Sequence, residues 1–447
     1  MAVGEVRAVA LSMTRSRWSV VEAGFAAAAF VVLCIVVLRA SPYLPEPDDV
    51  AYRASIVAMT HGHFFTLSGA QAQALAEQVA PRPGLVGPGG GPIQWVQLAS
   101  GRWISEKDPG YPYLAVVFQT LGIIRLAPLF FGALACLGLY FGAGRWLGRL
   151  GGAAAVGLYC SSGAAIEFAW RDYMPTFTDA SLIAAGTGAL LWALLAAEAT
   201  NRRRTWVGLA GFVALGAATS ARYTDIVILG VAVVAVLVGW RLPAARLRGS
   251  AVVWWLASVF VFCAGLATFD TLIYGGPLRS GYRPGEITFS LSAVTANLRS
   301  MPAHLIQAMP MLVLGLAALA SIVLLWLRVH RAGGEHAATA RRDLAVGLAL
   351  AAAWAAIWSL YATYTWTTPP GLSTLQSIRF YVPALGPIAL LGAWLLVRLP
   401  RRQPLPAMIV LATVATLFWL GAHAFHDMYQ SPWVNNQISH LVRTFHT

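Results

Sequence analysis

Apolar runs near the roughly 20 residues that cross a bilayer recur along the chain, separated by short arginine-bearing breaks. They fall near 19–40, 126–144, 152–168, 179–199, 206–221, 224–240, 251–273, 304–327, 344–364, 380–398 and 406–424, and predict eleven membrane-spanning helices. One segment stands apart. Residues 41–112 are too polar and too rich in Gly and Pro to span. Within it, Asp49 to Phe65 has apolar residues at helical spacing; Tyr113 to Ile124, just beyond it, is apolar but short. The first predicts an interfacial helix and the second an interfacial or re-entrant one. The glycine-rich stretch Pro81 to Pro92 predicts a mobile loop and lacks the Gly-Lys-Ser/Thr of a phosphate loop.

Composition agrees with the pattern. Of the 447 residues 58% are hydrophobic and 11% charged, against about 25% charged in soluble domains. The formal net charge of +13 comes almost wholly from arginine, Lys107 being the single lysine. Clusters at Arg7, Arg15 and Arg17, at Arg145 and Arg149, at Arg202 to Arg204, at Arg241, Arg246 and Arg248, at Arg328, Arg331, Arg341 and Arg342, and at Arg398, Arg401 and Arg402 fall on one face of an eleven-span chain. The positive-inside rule then places the N-terminus in the cytoplasm and the C-terminus outside, and accounts for the charge without a nucleic-acid partner. The basic N-terminus and first apolar run read as a retained span, with little beyond the last one: a single transmembrane domain over 1–447, with no separate soluble C-terminal domain. Cys34, Cys136, Cys160 and Cys263 lie in apolar segments without metal-ligand spacing and read as small buried residues.

The outer face carries the polar exceptions: 41–112, about 169–178, 222–223, 274–303 and 365–379. Asp48 and Asp49 stand at the mouth of the first loop, where adjacent carboxylates are costly unless they are solvated, cap a helix or do chemistry. Asp48 can be read as an N-cap or, compatibly, as a general base for an acceptor hydroxyl. Lys107, Arg171, Arg222, Arg279, Arg283 and Arg379 defy the positive-inside trend. A lipid-linked phosphate at the outer leaflet gives them a reason, since guanidinium forks pair with phosphate oxygens. Thr178-Asp179 reads as a cap of the span near 180, Asp172 as a partner of Arg171 or a neighbouring arginine, and Asp225 as a partner of Arg222. His61 and His63 form a His-x-His pair without a further ligand cluster. Trp95, Trp103, Trp170, Trp366 and Trp433 read mainly as an interfacial belt, with one or two near the first loop free to stack on a sugar.

These segments carry a resemblance. Asp48-Asp49, with Tyr52 and the small-residue helix running to Gly62-His63-Phe64, is similar to the first outer loop of the GT-C membrane glycosyltransferases, in their bacterial protein O-mannosyltransferase-like and aminoarabinose-transferase-like branches. Ser100 to Pro112 resembles that family's Gly-Arg to Pro-Gly stretch, with Asp108 where a proline is expected. Arg171-Asp172 through Asp179, Arg222 through Asp225, and Arg379-Phe380-Tyr381-Val382-Pro383 follow in the same order, so the likeness runs over about 20–400.

The resemblance implies an all-α GT-C bundle in the plasma membrane, moving a sugar from a polyprenyl phosphate to a protein, polysaccharide or lipid hydroxyl on the outer face, with inversion. It assigns catalysis to Asp48, with Asp49 standing where Glu is commoner and either able to be the base. Donor phosphate binding falls to Lys107, Arg171, Arg222 and Arg379, and acceptor or supporting roles to Tyr52, His63, Asp172 and Asp179. No cofactor is required, though a divalent metal is compatible. A transporter or flippase for a lipid-linked substrate, or a non-catalytic partner of a cell-envelope synthase, is the competing reading.

Overall fold

The computed structural model describes residues 3–39, 47–79, 86–240, 247–282, 285–329, 334–368 and 374–398, with 412, 415, 416 and 419. It is helical, as the periodicity predicts. Helix α1 (Val3–Arg39) contains the first span, and α2 (Pro47–Thr60) and α3 (Gly69–Val79) follow it. A short hairpin, β1 (Trp95–Gln97) with β2 (Trp103–Ser105), pairs antiparallel with Val96 opposite Ile104. Then come α4 (Gly110–Thr120), α5 (Leu126–Leu147), α6 (Arg149–Cys160), α7 (Gly163–Trp170), α8 (Pro175–Leu195), α9 (Asn201–Ala221), α10 (Ile226–Trp240) and α11 (Gly249–Tyr274). The chain continues through α12 (Ser292–Ala308), α13 (Leu312–Val329), α14 (Gly334–Ala362), α15 (Thr374–Ser377) and α16 (Leu385–Arg398).

Among the described residues, five helices are long and apolar enough to cross a membrane: Val20–Arg39, Leu126–Leu147, Pro175–Leu195, Gly249–Tyr274 and Ala338–Ala362. Tyr223–Gly239 and Val382–Arg398 are apolar but shorter. The chain is a multi-pass membrane protein, but the described helices do not establish eleven spans. The run 206–221 lies in α9, which is not among these apolar helices, and two further runs are differently built. The run 152–168 is divided between α6 and α7, because Ser161 ends one helix and the Ser162 hydroxyl caps the next through the Ala165 amide, 3.0 Å away. The run 304–327 begins inside α12, which is amphipathic, and α13 leaves it at 110°. The run 406–424 and the tail after it lie almost wholly outside the described residues.

The bundle centre is α8, packed on α5 and α9. Small residues let α5 and α8 touch backbone to backbone: a Cβ at Gly188 would lie 2.1 Å from the Gly138 carbonyl oxygen, and one at Gly142 2.4 Å from that of Gly188. Helix α16 packs against α6 and α13. At its far end, Asp343 of α14 accepts from the Trp146 indole (3.0 Å) and pairs with Arg398, tying α5, α14 and α16 together.

The segment from α2 to β2 departs most from expectation. Helix α2 is a buried helix, with Val50, Ala51, Ala54 and Ile56 fully enclosed, rather than one lying on the bilayer. Its apolar face packs with α3, Ile93, Trp95 and Trp103 into a separate small core. Trp95 and Trp103 are core residues there, each 7% exposed, and offer no free face for stacking. Residues 86–92 pack against that core: Gly91 lacks the side chain that would collide with the Trp103 ring, 2.6 Å from an added Cβ. Residues 81–85 lie outside the described residues.

Candidate active site

Asp48 and Asp49 occupy the first turn of α2, with Pro47 ahead of them. Pro pre-sets the helical φ at a first turn, and the positive end of the helix dipole favours carboxylates there. Neighbours on a helix diverge by about 100°, so the two carboxylates face different partners. Asp49, fully buried, receives both Nε (3.3 Å) and Nη2 of Arg171. Asp48, 16% exposed, takes Lys107 Nζ on Oδ1 (3.1 Å) and Arg379 Nη2 on Oδ2 (3.0 Å). Its carboxylate goes to these cations rather than capping the helix.

Lys107 stands between β2 and α4. Its ammonium also meets Glu106 Oε1 at 3.3 Å and donates to the Tyr282 hydroxyl at 2.9 Å. Burial alone would depress this ammonium, but Asp48, Tyr282 and Glu106 outweigh it and hold its pKa well above the usual lysine value. Burial likewise pushes the Asp48 carboxyl up, while Arg379 and Lys107 together bring it well below the carboxylate range. Asp48 is thus an ionised, doubly paired carboxylate.

Gln94, just before β1, also hydrogen-bonds Asp48 through its side chain. Its backbone φ of +58° is unusual for a residue with a Cβ, at a cost of about 1–2 kcal/mol. Its Oε1 is buried without a hydrogen-bond partner among the described residues, a further cost of about 1–3 kcal/mol.

Arg379 is presented from a 3₁₀ turn, Ile378–Phe380, and packs over the Phe380 ring. That turn is held by Arg222, the C-cap of α9. Arg222 donates Nη1 to the Arg379 carbonyl (3.0 Å) and Nη2 to Thr176 Oγ1 (3.1 Å), with Nε 3.5 Å from Asp179 Oδ2. Asp179 is no cap: α8 begins four residues earlier at Pro175, and Asp179 lies inside it. Asp225 is likewise not the ion-pair partner of Arg222. The turn there is 3₁₀, the Asp225 amide donates to the Arg222 carbonyl (3.0 Å), and its carboxyl lies against that of Asp179. Asp172 sits 4.0 Å from Arg125 rather than on Arg171, and burial, opposed by Arg125, pushes its carboxyl up to about 6. Asp108 accepts the Tyr223 amide (3.3 Å), and burial pushes its carboxyl up to about 7 against the pull of that amide and of Arg222.

Tyr52 is buried beside these groups, edge-on to Tyr111 at 6.0 Å. His63 meets Gln71 at 3.2 Å. Among the described residues no three His, Cys, Asp or Glu side chains converge as a metal site. Arg283 lies outside the described residues. Gln94, Glu106 and Tyr282 escape sequence reading. An acid beside the lone lysine was a signal for Glu106; nothing local marks the other two. A cleft of about 1410 Å³ opens beside Tyr282, between the hairpin and the end of α11, lined by Arg102, Tyr274, Arg279 and Tyr282 among others.

The fold is similar to that of two solved proteins, an ArnT and an oligosaccharyltransferase. ArnT from Cupriavidus metallidurans in the apo state aligns with TM-score 0.51 and 18% identity over 90% of this chain and 64% of its own. The same protein bound to undecaprenyl phosphate aligns at 0.48 with 19% identity, over 90% and 64%. The Archaeoglobus fulgidus oligosaccharyltransferase in complex with Zn and sulfate aligns at 0.50 with 13% identity, over 89% and 52%. The chain therefore spans roughly half to two-thirds of the length of these proteins. No family model and no curated protein sequence matches it.

Proposed function

We propose that the protein is a glycosyltransferase of the outer membrane face, moving a sugar from a polyprenyl-phosphate donor to a hydroxyl acceptor by one inverting displacement. The observation that carries this reading is the pairing of one helix-terminal carboxylate, Asp48, with two cations brought from distant segments, Lys107 and Arg379. The donor phosphate competes with Asp48 for both. As they turn to phosphate, Asp48 loses the charges that hold its basicity down and becomes the general base. The acceptor oxygen bonds to the anomeric carbon, the bond from that carbon to the phosphate oxygen breaks, and the acceptor proton passes to Asp48. Polyprenyl phosphate leaves with its charge met by Lys107 and Arg379. The acceptor reaches the site through the cleft beside Tyr282.

Arg171 and Arg222 we assign to holding rather than reacting: the first fixes Asp49 and with it the start of α2, the second fixes the Arg379 turn. Tyr52 walls the site, and Asp172 and Asp179 support it. His63 receives no role. The donor set does not suit a divalent metal at Asp48, because both carboxylate oxygens already face cations and Lys107 Nζ occupies the point shared by Asp48, Glu106 and Tyr282. No step is routed through one.

The test is transfer from radiolabelled polyprenyl-phosphate mannose, glucose and arabinose in membranes holding the protein, with binding of labelled polyprenyl phosphate measured in parallel. Product from one donor supports the enzyme and names the sugar; binding without product from any donor favours a carrier of the lipid.

A further inference from the structure

Gln94 carries two unfavourable features on one residue beside the reactive carboxylate: a left-handed backbone and a buried, unanswered carbonyl oxygen. The backbone is fixed on both sides, since the Gln94 carbonyl accepts from the Glu106 amide (3.0 Å) and the Trp95 amide donates to Pro92 (3.2 Å). The amide orientation is fixed as well. An ionised carboxylate only accepts, so the Gln94 nitrogen must face Asp48 and Oε1 must face away from it. An acceptor held this way answers only a ligand that brings a hydrogen, and Gln94 cannot turn round without giving up Asp48.

We infer that Gln94 is a substrate-binding residue whose Oε1 accepts a hydrogen bond from the sugar hydroxyl next to the anomeric carbon. This rests on the transfer reading above. Lys107 and Arg379, which flank the same carboxylate, are the groups set against the donor phosphate. The phosphate oxygen is bonded to the anomeric carbon, so the hydroxyl on the adjoining ring carbon is the donor-sugar hydroxyl nearest to Asp48. The specificity that follows is chemical: a free hydroxyl is accepted there, whereas hydrogen, fluorine or a methyl ether leaves Oε1 unanswered.

The experiment compares kcat/KM for the sugar donor giving most product with its 2-deoxy and 3-deoxy forms, in wild type and in Gln94→Gly and Gln94→Ala. Glycine adopts the left-handed backbone freely, so Gln94→Gly keeps the loop even where alanine disturbs it. Wild type is expected to discriminate against the 2-deoxy donor by about 10–100-fold, and Gln94→Gly to reduce that ratio to near one while 3-deoxy discrimination stays as it was. An unchanged 2-deoxy ratio in the variant, or equal use of both donors by wild type, overturns the assignment, as does a loss confined to the 3-deoxy donor. Absence of transfer from every donor in wild type, with polyprenyl phosphate still bound, instead overturns the transfer reading and this assignment with it.

Discussion

Arg222 donates through Nη1 to the carbonyl oxygen of Arg379, 3.0 Å away and 157 residues further along the chain. The contact joins the end of α9 to the turn that sets Arg379 on Asp48, so one arginine orients another. Breaking a buried pair by removing one partner costs about 3–5 kcal/mol, and Arg222→Ala, which also strips Asp179 of its cation, is expected to lower the melting temperature in detergent. Arg222→Lys keeps the charge but not the fork; it is expected to recover most of the stability and little of the activity. Equal recovery of both would place Arg222 outside the support of Arg379.

Lys107 and Tyr282 separate charge from scaffold. Tyr282→Phe removes only the hydroxyl that accepts from Lys107 at 2.9 Å and leaves the ring beneath the ammonium. A lost neutral-to-charged hydrogen bond of about 1.5–3 kcal/mol corresponds to roughly 10–150-fold in kcat/KM for the donor. Lys107→Gln is expected to lose more than that, because it removes the charge opposite the leaving phosphate. Transfer kinetics of the two variants make the comparison.

Asp108 sets a pH dependence of stability. Its carboxyl is raised from 3.8 to about 7 in the folded protein, so between those values the folded state binds a proton that the unfolded state has released. Its contribution is fully present below pH about 4 and is lost as pH rises toward about 7. Asp108→Asn, neutral throughout, is expected to flatten the decline in melting temperature that wild type shows across that window. Parallel curves for the two proteins would remove Asp108 as the source.

Gly91 tests the small core beneath α2. An alanine there meets the Trp103 ring at 2.6 Å, and overpacking costs about 1–3 kcal/mol. Gly91→Ala is expected to speed proteolysis of the loop between α3 and β1 and to weaken activity, since Gln94 and Lys107 are both borne by this hairpin region.

Much of this was legible in the chain because its causes are local. The helical apolar runs, and Asp48, Lys107 and Arg379 as polar exceptions between them, all follow from residue type and order. What was not legible depends on closure. Glycine-rich 86–92 reads as loose until Trp103 is seen filling the space that Gly91 leaves. Helix α2 has the pattern of a surface helix, and only α3 and the hairpin bury it. Residue order does not show which carboxylate each arginine meets: Arg171 meets Asp49, Arg222 meets Asp179 and Arg379 meets Asp48. Gln94 has no local signature: its importance lies in a dihedral angle and an unanswered atom.

The measurement that decides most is transfer by Asp48→Asn and Asp49→Asn made separately, each with a melting curve. Asp48→Asn leaves Lys107 and Arg379 without their carboxylate. It is expected to lose some stability while staying folded, and to lose at least about 100-fold in transfer per folded protein, as removal of a general base does. Asp49→Asn takes the carboxylate from the fully buried Arg171 and is expected to lose about 3–5 kcal/mol of stability, with activity following the folded fraction. An Asp48→Asn protein that transfers normally, beside a stable Asp49→Asn protein that does not, would contradict the account and move the base to Asp49.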